Sequence, residues 1–402
     1  MRILFLAAHL PYPPISGGRR REYELLTRLG KHAAIHLCCV SKTYAEDRRN
    51  LPQMQPWCRD ITLVPATDPD PTPQTDPAYP YQVRRHMAHS LRGFLADLLA
   101  TDPFDLVHVE GYYLMQHLPV VTPVPTLLGA QNVEYLLYQQ RALFASTPCE
   151  QQQCWSEYRR TMDWERHAWR RATRCITVTA DDRQHMLAAE PELHIDVVPN
   201  GADHLPVVAG PGSSTGEPYC RDAEPVVLFP SNFAYEPNVD ATRYLLDDIF
   251  PRIRQEIPNT RLLLVGNAPP PAIYALATQP QVSLTGRVPS LMPFFAAADI
   301  VVCPLRIGGG IKVKVLEALR AGKAIVSSSV GVQGLDGAAR RAIAIADDPA
   351  AFAAHIVRLL RNPAERVTMQ TAARHVARQL PTWDDSAAAL VECYTRLIQN
   401  HS

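Results

Sequence analysis

Residues 304–319 read PLRIGGGIKVKVLEAL, three glycines followed by a run of regularly spaced apolar residues. The three consecutive glycines allow a sharp turn and a close approach of the backbone to a ligand. The apolar spacing after them predicts a helix whose first amides point back toward the glycines. Arg306, Lys312 and Lys314 crowd this positive helix end, where cations are unfavourable unless an anion lies beside them. The stretch therefore predicts a phosphate-binding turn.

Glu317 lies three residues after Lys314, on the same face of the predicted helix. A carboxylate at this place accepts hydrogen bonds from sugar hydroxyls, one turn along from the phosphates. The alternative is a loop that only needs glycine flexibility, with Lys314 and Glu317 forming a solvated ion pair.

The length, charge balance and cysteine content of the chain limit the class of protein to which it can belong. A chain of 402 residues exceeds what one hydrophobic core usually serves, so we expect two domains. The 40 basic residues balance the 40 acidic ones, which gives no argument for a nucleic-acid partner. The nine cysteines are scattered without metal-ligand spacing, which favours reduced thiols and a cytoplasmic protein. The apolar start ends at His9 and Pro11, too soon for a signal peptide, and predicts a buried first strand.

Short apolar runs alternate with longer helical stretches, a pattern typical of parallel sheets covered by helices on both faces. The predicted strands are residues 2–8, 34–40, 61–64, 105–109, 125–129, 174–178, 195–198, 225–230, 261–265, 281–284, 299–303 and 324–327. A turn-rich tract predicts a linker at 206–224, between an N-terminal domain at 1–205 and a C-terminal domain at 225–378. The proline-rich residues 68–80 predict a surface loop. Ligands bind beyond the carboxyl ends of such strands, so two facing domains would form a cleft.

Three further motifs follow predicted strands. Gly17 and Gly18 precede three arginines at the start of a helix, which predicts a second positive helix end, the alternative being solvated arginines. Ser231 and Asn232 end a strand and are expected to reach the cleft as hydrogen-bond donors. The segment 287–288 follows a glycine turn, whose backbone groups can pair with a nucleobase or form an ordinary turn.

The order and spacing of these motifs resemble the retaining, nucleotide-sugar-dependent glycosyltransferases of family 4. The matching positions are Gly17-Gly18 and residues 199–203, 237–238, 265–266, 285–288, 310–317 and 321–326. The resemblance implies an α/β, GT-B fold, in which two Rossmann-like domains with parallel sheets face a central cleft. It also implies that the C-terminal segment, 379–402, is a helix that crosses back to the N-terminal, acceptor-side domain.

The same resemblance assigns site residues. It implies that Glu317 binds the donor ribose and that the base rests against Arg287 and Val288. It also implies that backbone amides hold the diphosphate and donor sugar. The amides in question belong to Gly310, Ile311 and Lys312.

The sequence departs from the family pattern at two positions. Gly309 stands where the family has the first glutamate of an E-x7-E element, and Gln131 stands where it has a histidine. A glutamine can hydrogen-bond a sugar but cannot act as an acid or base. Retaining transfer tolerates this change when the leaving diphosphate accepts the proton and cations stabilise its charge. The chemistry would then depend on Arg306, Lys312 and Lys314.

The expected function is therefore a metal-independent, retaining transfer of a hexose from a nucleoside diphosphate sugar to a glycan or lipid-linked acceptor. Such a reaction belongs to polysaccharide or glycoconjugate synthesis. No cofactor is expected besides the donor, because no Asp-x-Asp pair or acidic and histidine cluster marks the predicted donor site. The alternatives are a non-catalytic nucleotide-sugar-binding protein, and a GT-B epimerase or phosphorylase. An arginine-rich stretch at 158–174 either is a solvated helix or makes peripheral contact with anionic lipid at the inner face of the membrane.

Overall fold

The computed structural model describes residues 1–68, 78–205, 224–279 and 281–401. The chain divides into two compact units. Met1–Asn200 and Trp383–Ser402 form the first unit, and Gly201–Thr382 forms the second. Of the predicted linker only Glu224 lies within the described residues, and most of the predicted proline-rich loop also lies outside them.

The first unit contains a seven-stranded parallel sheet in the order β3-β2-β1-β4-β5-β6-β7. Its strands are β1 (Arg2–Ala7), β2 (Ala34–Ser41), β3 (Asp60–Pro65), β4 (Leu106–Glu110), β5 (Thr126–Ala130), β6 (Arg174–Thr177) and β7 (Ile195–Val197). The central strands are buried along almost their whole length, which explains why their sequences are continuous apolar runs.

The second unit contains a six-stranded parallel sheet in the order β10-β9-β8-β11-β12-β13. Its strands are β8 (Val226–Pro230), β9 (Arg261–Val265), β10 (Val282–Leu284), β11 (Ile300–Cys303), β12 (Ala324–Ser327) and β13 (Ala344–Ile345). The two-residue strand β13 was not predicted, because it is too short to form an apolar run. The predicted α/β architecture of two Rossmann-like parallel sheets is confirmed.

Helices connect the strands of both sheets. They are α1 (Gly17–Leu29), α2 (Tyr44–Asn50), α3 (Tyr81–Arg85), α4 (His89–Thr101), α5 (Glu134–Leu143), α6 (Pro148–Arg171), α7 (Ala180–Ala189), α8 (Glu236–Tyr244), α9 (Phe250–Glu256), α10 (Pro271–Leu276), α11 (Met292–Ala297), α12 (Val313–Arg320), α13 (Gly337–Arg341), α14 (Pro349–Arg361), α15 (Pro363–Ala377) and α16 (Trp383–Gln399). Shorter 3₁₀ turns are Leu51–Gln53 and Tyr112–His117, and a π-helical turn, Leu245–Ile249, joins α8 to α9. Across the described residues, no helix combines the length and the apolar character needed to cross a membrane.

The last helix, α16, packs on the first unit. Leu390 and Tyr394 are fully buried in a cluster with Leu25 and Leu29 of α1. Burying side chains of this size stabilises a fold by roughly 1.5–3 kcal/mol each. The apolar face of α16 therefore makes it an integral part of that unit's core.

Each sheet has one place where neighbouring strands send their connections in opposite directions. In the first unit this place lies between β1 and β4, and in the second between β8 and β11. The loops that leave these strand ends diverge and open a crevice, which is where ligands bind in open α/β sheets. The sheet topology therefore gives each unit one favoured site, here called its strand-end crevice.

Candidate functional site

The glycine-rich turn predicted at residues 304–312 lies in the strand-end crevice of the second unit. It leaves the end of β11 and leads into α12, whose N-cap residue is Lys312. Gly310 has a φ of 59°, a left-handed conformation that favours glycine. Lys312 provides no side-chain cap, so the first amides of α12 are presented at the crevice. The predicted turn before a helix start is therefore present.

Lys314 lies at the centre of this crevice. Its Nζ donates to Ser231 Oγ at 2.6 Å and to Asn238 Oδ1 at 2.8 Å, and lies 4.5 Å from the centre of the Phe229 ring. These partners are neutral, so they fix the ammonium without cancelling its charge. Burial lowers the pKa of Lys314 to about 8. A buried cation of this kind is poised to bind an anion.

Ser231 and Asn232 were both predicted to reach this site from the end of β8. Ser231 is in contact with Lys314, whereas Asn232 is not. Asn232 accepts hydrogen bonds from Ala234 N at 3.2 Å and, through its carbonyl, from Asn238 Nδ2 at 2.7 Å. Asn232 thus shapes the loop and holds Asn238, a residue that the sequence analysis did not assign to the site. The signal for it was its place at 237–238, one of the stretches that match the family pattern.

The side chain of Lys312 folds back onto the glycine turn. Its Nζ donates to the carbonyls of Gly309 at 3.0 Å and Gly310 at 2.7 Å, and to Gln333 Oε1 at 3.3 Å. The ammonium is buried beneath the turn, and a Cβ on Gly308 would lie 2.9 Å from Lys312 Cε. Lys312 therefore stiffens the turn while adding a positive charge behind it.

Glu317 is buried and accepts a hydrogen bond from His204 Nε2 at 2.8 Å. The alternative of a solvated Lys314–Glu317 ion pair does not describe this arrangement, because Lys314 donates to Ser231 and Asn238 instead. His204 is a site residue that the sequence analysis missed. It lies 113 positions before Glu317, and no local pattern links the two.

Arg306 is engaged by a carboxylate. Its Nε donates to Asp240 Oδ2 at 3.0 Å and its Nη2 to Asp240 Oδ1 at 2.5 Å, and it lies 4.8 Å from the centre of the Tyr244 ring. The hydrogen bonds that Arg306 donates to Asp240 raise the pKa of Arg306. The guanidinium is thus permanently charged, but Asp240 balances that charge.

Arg287 and Val288 follow β10, at the outer edge of the sheet. Gly286 before them has a φ of 70°, and nothing lies within 4 Å of a Cβ placed on it. The Arg287 side chain is exposed, whereas Val288 packs against the core. The turn is therefore open to an incoming ring.

In the first unit, Gly17 and Gly18 lie inside the first turn of α1, where the sequence analysis expected a loop before the helix. The difference arises because Ser16 caps α1, accepting a hydrogen bond from Arg19 N at 3.3 Å. The three arginines after the glycines each have a polar side-chain partner, and Arg21 is buried. Arg19 donates to Asp47 at 3.4 Å and Arg20 to Glu24 at 3.2 Å. Arg21 donates to Asn200 at 2.7 Å.

Gln131 lies in the strand-end crevice of the first unit, between two buried carboxylates. Its Nε2 is 3.4 Å from Glu22 Oε1 and 3.3 Å from Glu110 Oε2. A Cβ on Gly18 would lie 3.0 Å from Gln131 Oε1, so the glycine makes room for the amide. The amide nitrogen is thus directed at carboxylates, which leaves Oε1 as the group that accepts from a ligand.

Two histidines surround these carboxylates. His9 Nε2 lies 3.1 Å from Glu22 Oε2, and His108 Nε2 lies 3.1 Å from Glu110 Oε1. Burial by itself would raise the pKa of Glu110, but the hydrogen bond and charge of His108, with Arg21 nearby, hold it below its usual value. None of these four residues belongs to the site predicted from the sequence.

Lys42, just after β2, is a further residue that the sequence analysis missed. Its Nζ donates to the carbonyl of Ala8 at 3.2 Å and contacts the ring of His86. Burial, together with the charges of Arg85 and Arg19, lowers the pKa of Lys42 to about 7. A lysine near the crevice that titrates around neutral pH is a chemically distinctive group.

The arginine-rich stretch forms much of α6, and most of its charges have acidic partners. Arg166 and Arg170 bind Glu190 at 2.7 and 2.6 Å, and Arg160 binds Glu157 at 2.7 Å. Trp169 is fully buried. These contacts favour the interpretation of α6 as a solvated helix over one that lies on lipid. In the described part of the chain, no group of three or more His, Cys, Asp or Glu residues is arranged to hold a metal ion.

The chain shows similarity to known proteins in sequence and in fold. Residues 224–362 match the family described as Glycosyl transferases group 1, and this segment contains Ser231, Asn238, Lys312, Lys314 and Glu317. An uncharacterised 44.6 kDa protein in the cps region of Klebsiella pneumoniae is 27% identical over 144 residues, which are 34% of this chain and 37% of that protein.

Two solved structures share the fold across the whole chain. Sucrose-phosphate synthase from Thermosynechococcus elongatus has a TM-score of 0.69 and 17% identity, covering 100% of both chains. Anabaena Alr3699/HepE, in complex with UDP-glucose, has a TM-score of 0.67 and 15% identity, covering 99% of this chain and 100% of that one. The second unit is therefore similar to group 1 glycosyltransferases over residues 224–362, and the chain as a whole has the GT-B fold.

Proposed function

We propose that the protein is a retaining, metal-independent glycosyltransferase that moves a hexose from a nucleoside diphosphate sugar to a glycan or lipid-linked acceptor. The observation that carries the proposal is Lys314, a buried ammonium held by neutral oxygens at the start of α12. The complex of Alr3699/HepE with UDP-glucose supports a nucleotide sugar as the donor. The cps-region relative supports a place in polysaccharide or glycoconjugate synthesis.

In the second unit, the diphosphate, the ribose and the base of the donor each have their own proposed contacts. The amides at Gly310, Ile311 and Lys312, beside Gly309, and the Lys314 ammonium hold the diphosphate. Glu317, oriented by His204, accepts from the ribose hydroxyls. The open turn at Arg287 and Val288 receives the base. Lys312 adds charge from behind the glycine turn, and Arg306 contributes when the phosphate shares it with Asp240.

The proposed reaction breaks the bond between C1 of the sugar and the diphosphate oxygen and forms a bond from C1 to the acceptor oxygen on the same face. The acceptor proton passes to the leaving diphosphate, so no protein base is required. Lys312 and Lys314 stabilise the charge that develops on the leaving group. These cations would do the work that a divalent ion does in a metal-dependent transferase.

In the first unit, we assign Gln131 to the acceptor. Its Nε2 is directed at Glu22 and Glu110, so its Oε1 accepts from a sugar hydroxyl. Gly18 allows the Gln131 amide to approach the first turn of α1, and we assign Gly17 beside it to the same acceptor site.

The test is turnover by the purified protein with a panel of nucleotide sugars and acceptors. We expect release of nucleoside diphosphate only when an acceptor is present, which separates transfer from epimerisation. Lys314→Ala and Glu317→Ala should each reduce transfer strongly, whereas Arg340→Ala, which removes an exposed cation from α13, should not. Undiminished transfer by both site variants would refute these roles. The anomeric configuration of the product, and activity with a chelator present, test retention and metal independence.

A second candidate, a non-catalytic nucleotide-sugar-binding protein, is favoured by two observations. The Gln131 amide is directed at Glu22 and Glu110, and Gly309 offers no side chain to the donor. Tight binding of a nucleotide sugar, with no turnover over a broad acceptor panel, would select this candidate.

A further inference from the structure

The first unit contains a cavity of about 690 Å³ that is separate from its strand-end crevice. It lies among the start of α4, the 3₁₀ turn Tyr112–His117 and the second half of α6. Glu22, Glu110 and Gln131 do not line it. The proposed transfer reaction therefore makes no use of this cavity.

The lining contains more basic than acidic side chains. It includes two arginines and three histidines, with one acidic side chain: Arg92, Arg171, His89, His117, His167 and Asp163. The two arginine cations repel each other, and burial lowers the pKa of His117, so an anion that enters the cavity relieves the repulsion between Arg92 and Arg171. The composition of the lining thus indicates an anionic ligand.

Arg171 is held in place without losing its charge. Its Nη1 donates to the carbonyl of Met115 at 3.0 Å and its Nη2 to that of Pro119 at 3.0 Å. Burial, and then the charge of Arg92, lowers the pKa of Arg171. The neighbouring arginines on α6, Arg166 and Arg170, bind Glu190 instead. Arg171, which lines the cavity, therefore differs from them in having neutral carbonyl partners for both Nη atoms.

An aromatic pair stands beside these cations. The rings of Tyr79 and Trp164 are 5.3 Å apart between centroids, and both residues line the cavity. Aromatic faces pack against the apolar face of a ring-shaped ligand. Cations that bind a phosphate and an aromatic surface for a ring together match a sugar phosphate.

We propose that this cavity binds a phosphorylated sugar, with its phosphate on Arg92 and Arg171 and its ring against Trp164. The sugar phosphate can be soluble or can be the headgroup of a lipid. Val120, on the rim, is 80% exposed, and its neighbour Val121 is 81% exposed, which gives the lipid source an apolar point of contact. This inference does not depend on the proposed donor site in the second unit.

Calorimetric titration of the full chain with glucose 6-phosphate, inorganic phosphate and glucose tests the proposal. Cosedimentation with phosphatidylcholine vesicles, with or without phosphatidylinositol 4-phosphate, tests the lipid source. Arg92→Gln removes an exposed cation of the cavity and is expected to fold. Arg159→Gln is the matched control, because it removes an exposed arginine of α6 that does not line the cavity.

We expect glucose 6-phosphate or the phosphoinositide vesicles to bind, and glucose and plain vesicles not to bind. Arg92→Gln should weaken binding by about tenfold, the usual effect of losing one charge-assisted hydrogen bond. Arg159→Gln and Lys314→Met should bind as the wild type does. If neither glucose 6-phosphate nor the phosphoinositide vesicles bound, the proposal would be overturned. Equal weakening by Arg92→Gln and Arg159→Gln would do so too, as would loss of binding in Lys314→Met alone.

Discussion

The two strand-end crevices have the same topology but opposite chemistry. In the second unit, the buried group is Lys314, an ammonium held by neutral oxygens. In the first unit, the buried groups are Glu22 and Glu110, two carboxylates on either side of the Gln131 amide. A crevice with excess positive charge suits a diphosphate, and one rich in acceptors suits sugar hydroxyls. The fold provides both places, and a few side chains decide what each one binds.

The same contrast exists within the second unit. Lys314 and Arg306 both belong to the sequence that first indicated a phosphate site, but only Arg306 has a carboxylate partner, Asp240. A cation that is already neutralised gives up one interaction when it takes a phosphate, whereas Lys314 gives up only neutral ones. A cluster of basic residues in a sequence therefore does not show which of them binds a phosphate most strongly.

The largest expected effect tests that ranking. Lys314→Met should weaken nucleoside diphosphate binding by roughly a hundredfold, because it removes a buried charge-assisted contact. Arg306→Gln should weaken it by no more than about threefold, since Asp240 already balances that charge. Isothermal titration with a nucleoside diphosphate measures both. Equal losses of affinity in the two variants would show that Lys314 and Arg306 contribute equally to diphosphate binding.

The affinity for the diphosphate, measured across a range of pH, also tests the role of the Lys314 charge. Since burial lowers the pKa of Lys314 to about 8, the ammonium is charged below that pH and neutral above it. Affinity for the diphosphate should therefore fall by about twentyfold as the pH rises from about 7.5 to about 9.5. Lys314→Arg, whose side chain stays protonated, should flatten the profile. A wild-type affinity that is constant across this range would show that Lys314 does not make the contact.

Glu317 and His204 are expected to have a smaller effect. One hydrogen bond to a ribose hydroxyl contributes about 1 kcal/mol, so Glu317→Gln should weaken binding about fivefold. His204→Ala should weaken it about threefold, because Glu317 loses the partner that orients its carboxylate. The discriminating ligand is the 2′-deoxy nucleotide, which the wild type should bind less well than the ribonucleotide. Unchanged discrimination in Glu317→Gln would remove Glu317 from the ribose site.

The fold was predictable because buried parallel strands, such as β8 and β11, are continuous apolar runs bounded by polar turns. The glycine turn and Lys314 were predictable because they are neighbours in the sequence. Their partners were not. His204 meets Glu317, and Asp240 meets Arg306, across 113 and 66 positions, respectively. Local patterns show which residues can carry charge, but only the folded chain shows which charges are cancelled.

The smallest expected effect tests the first unit. Gly18→Ala places a Cβ 3.0 Å from Gln131 Oε1, so the amide must move by a few tenths of an ångström. The KM for the acceptor should rise about two- to threefold, while the affinity for the donor stays unchanged, since Gln131 is assigned to the acceptor alone.

Gly93→Ala is the matched control for this substitution. Gly93 also lies in a helix, α4, and nothing stands within 4 Å of its added Cβ. The change should therefore stabilise the protein by about 0.5–1 kcal/mol through helix propensity alone and leave both substrates unaffected. Steady-state kinetics and thermal unfolding of the two variants separate the effects. If Gly18→Ala altered donor affinity but not acceptor KM, the assignment of the acidic crevice to the acceptor would be wrong.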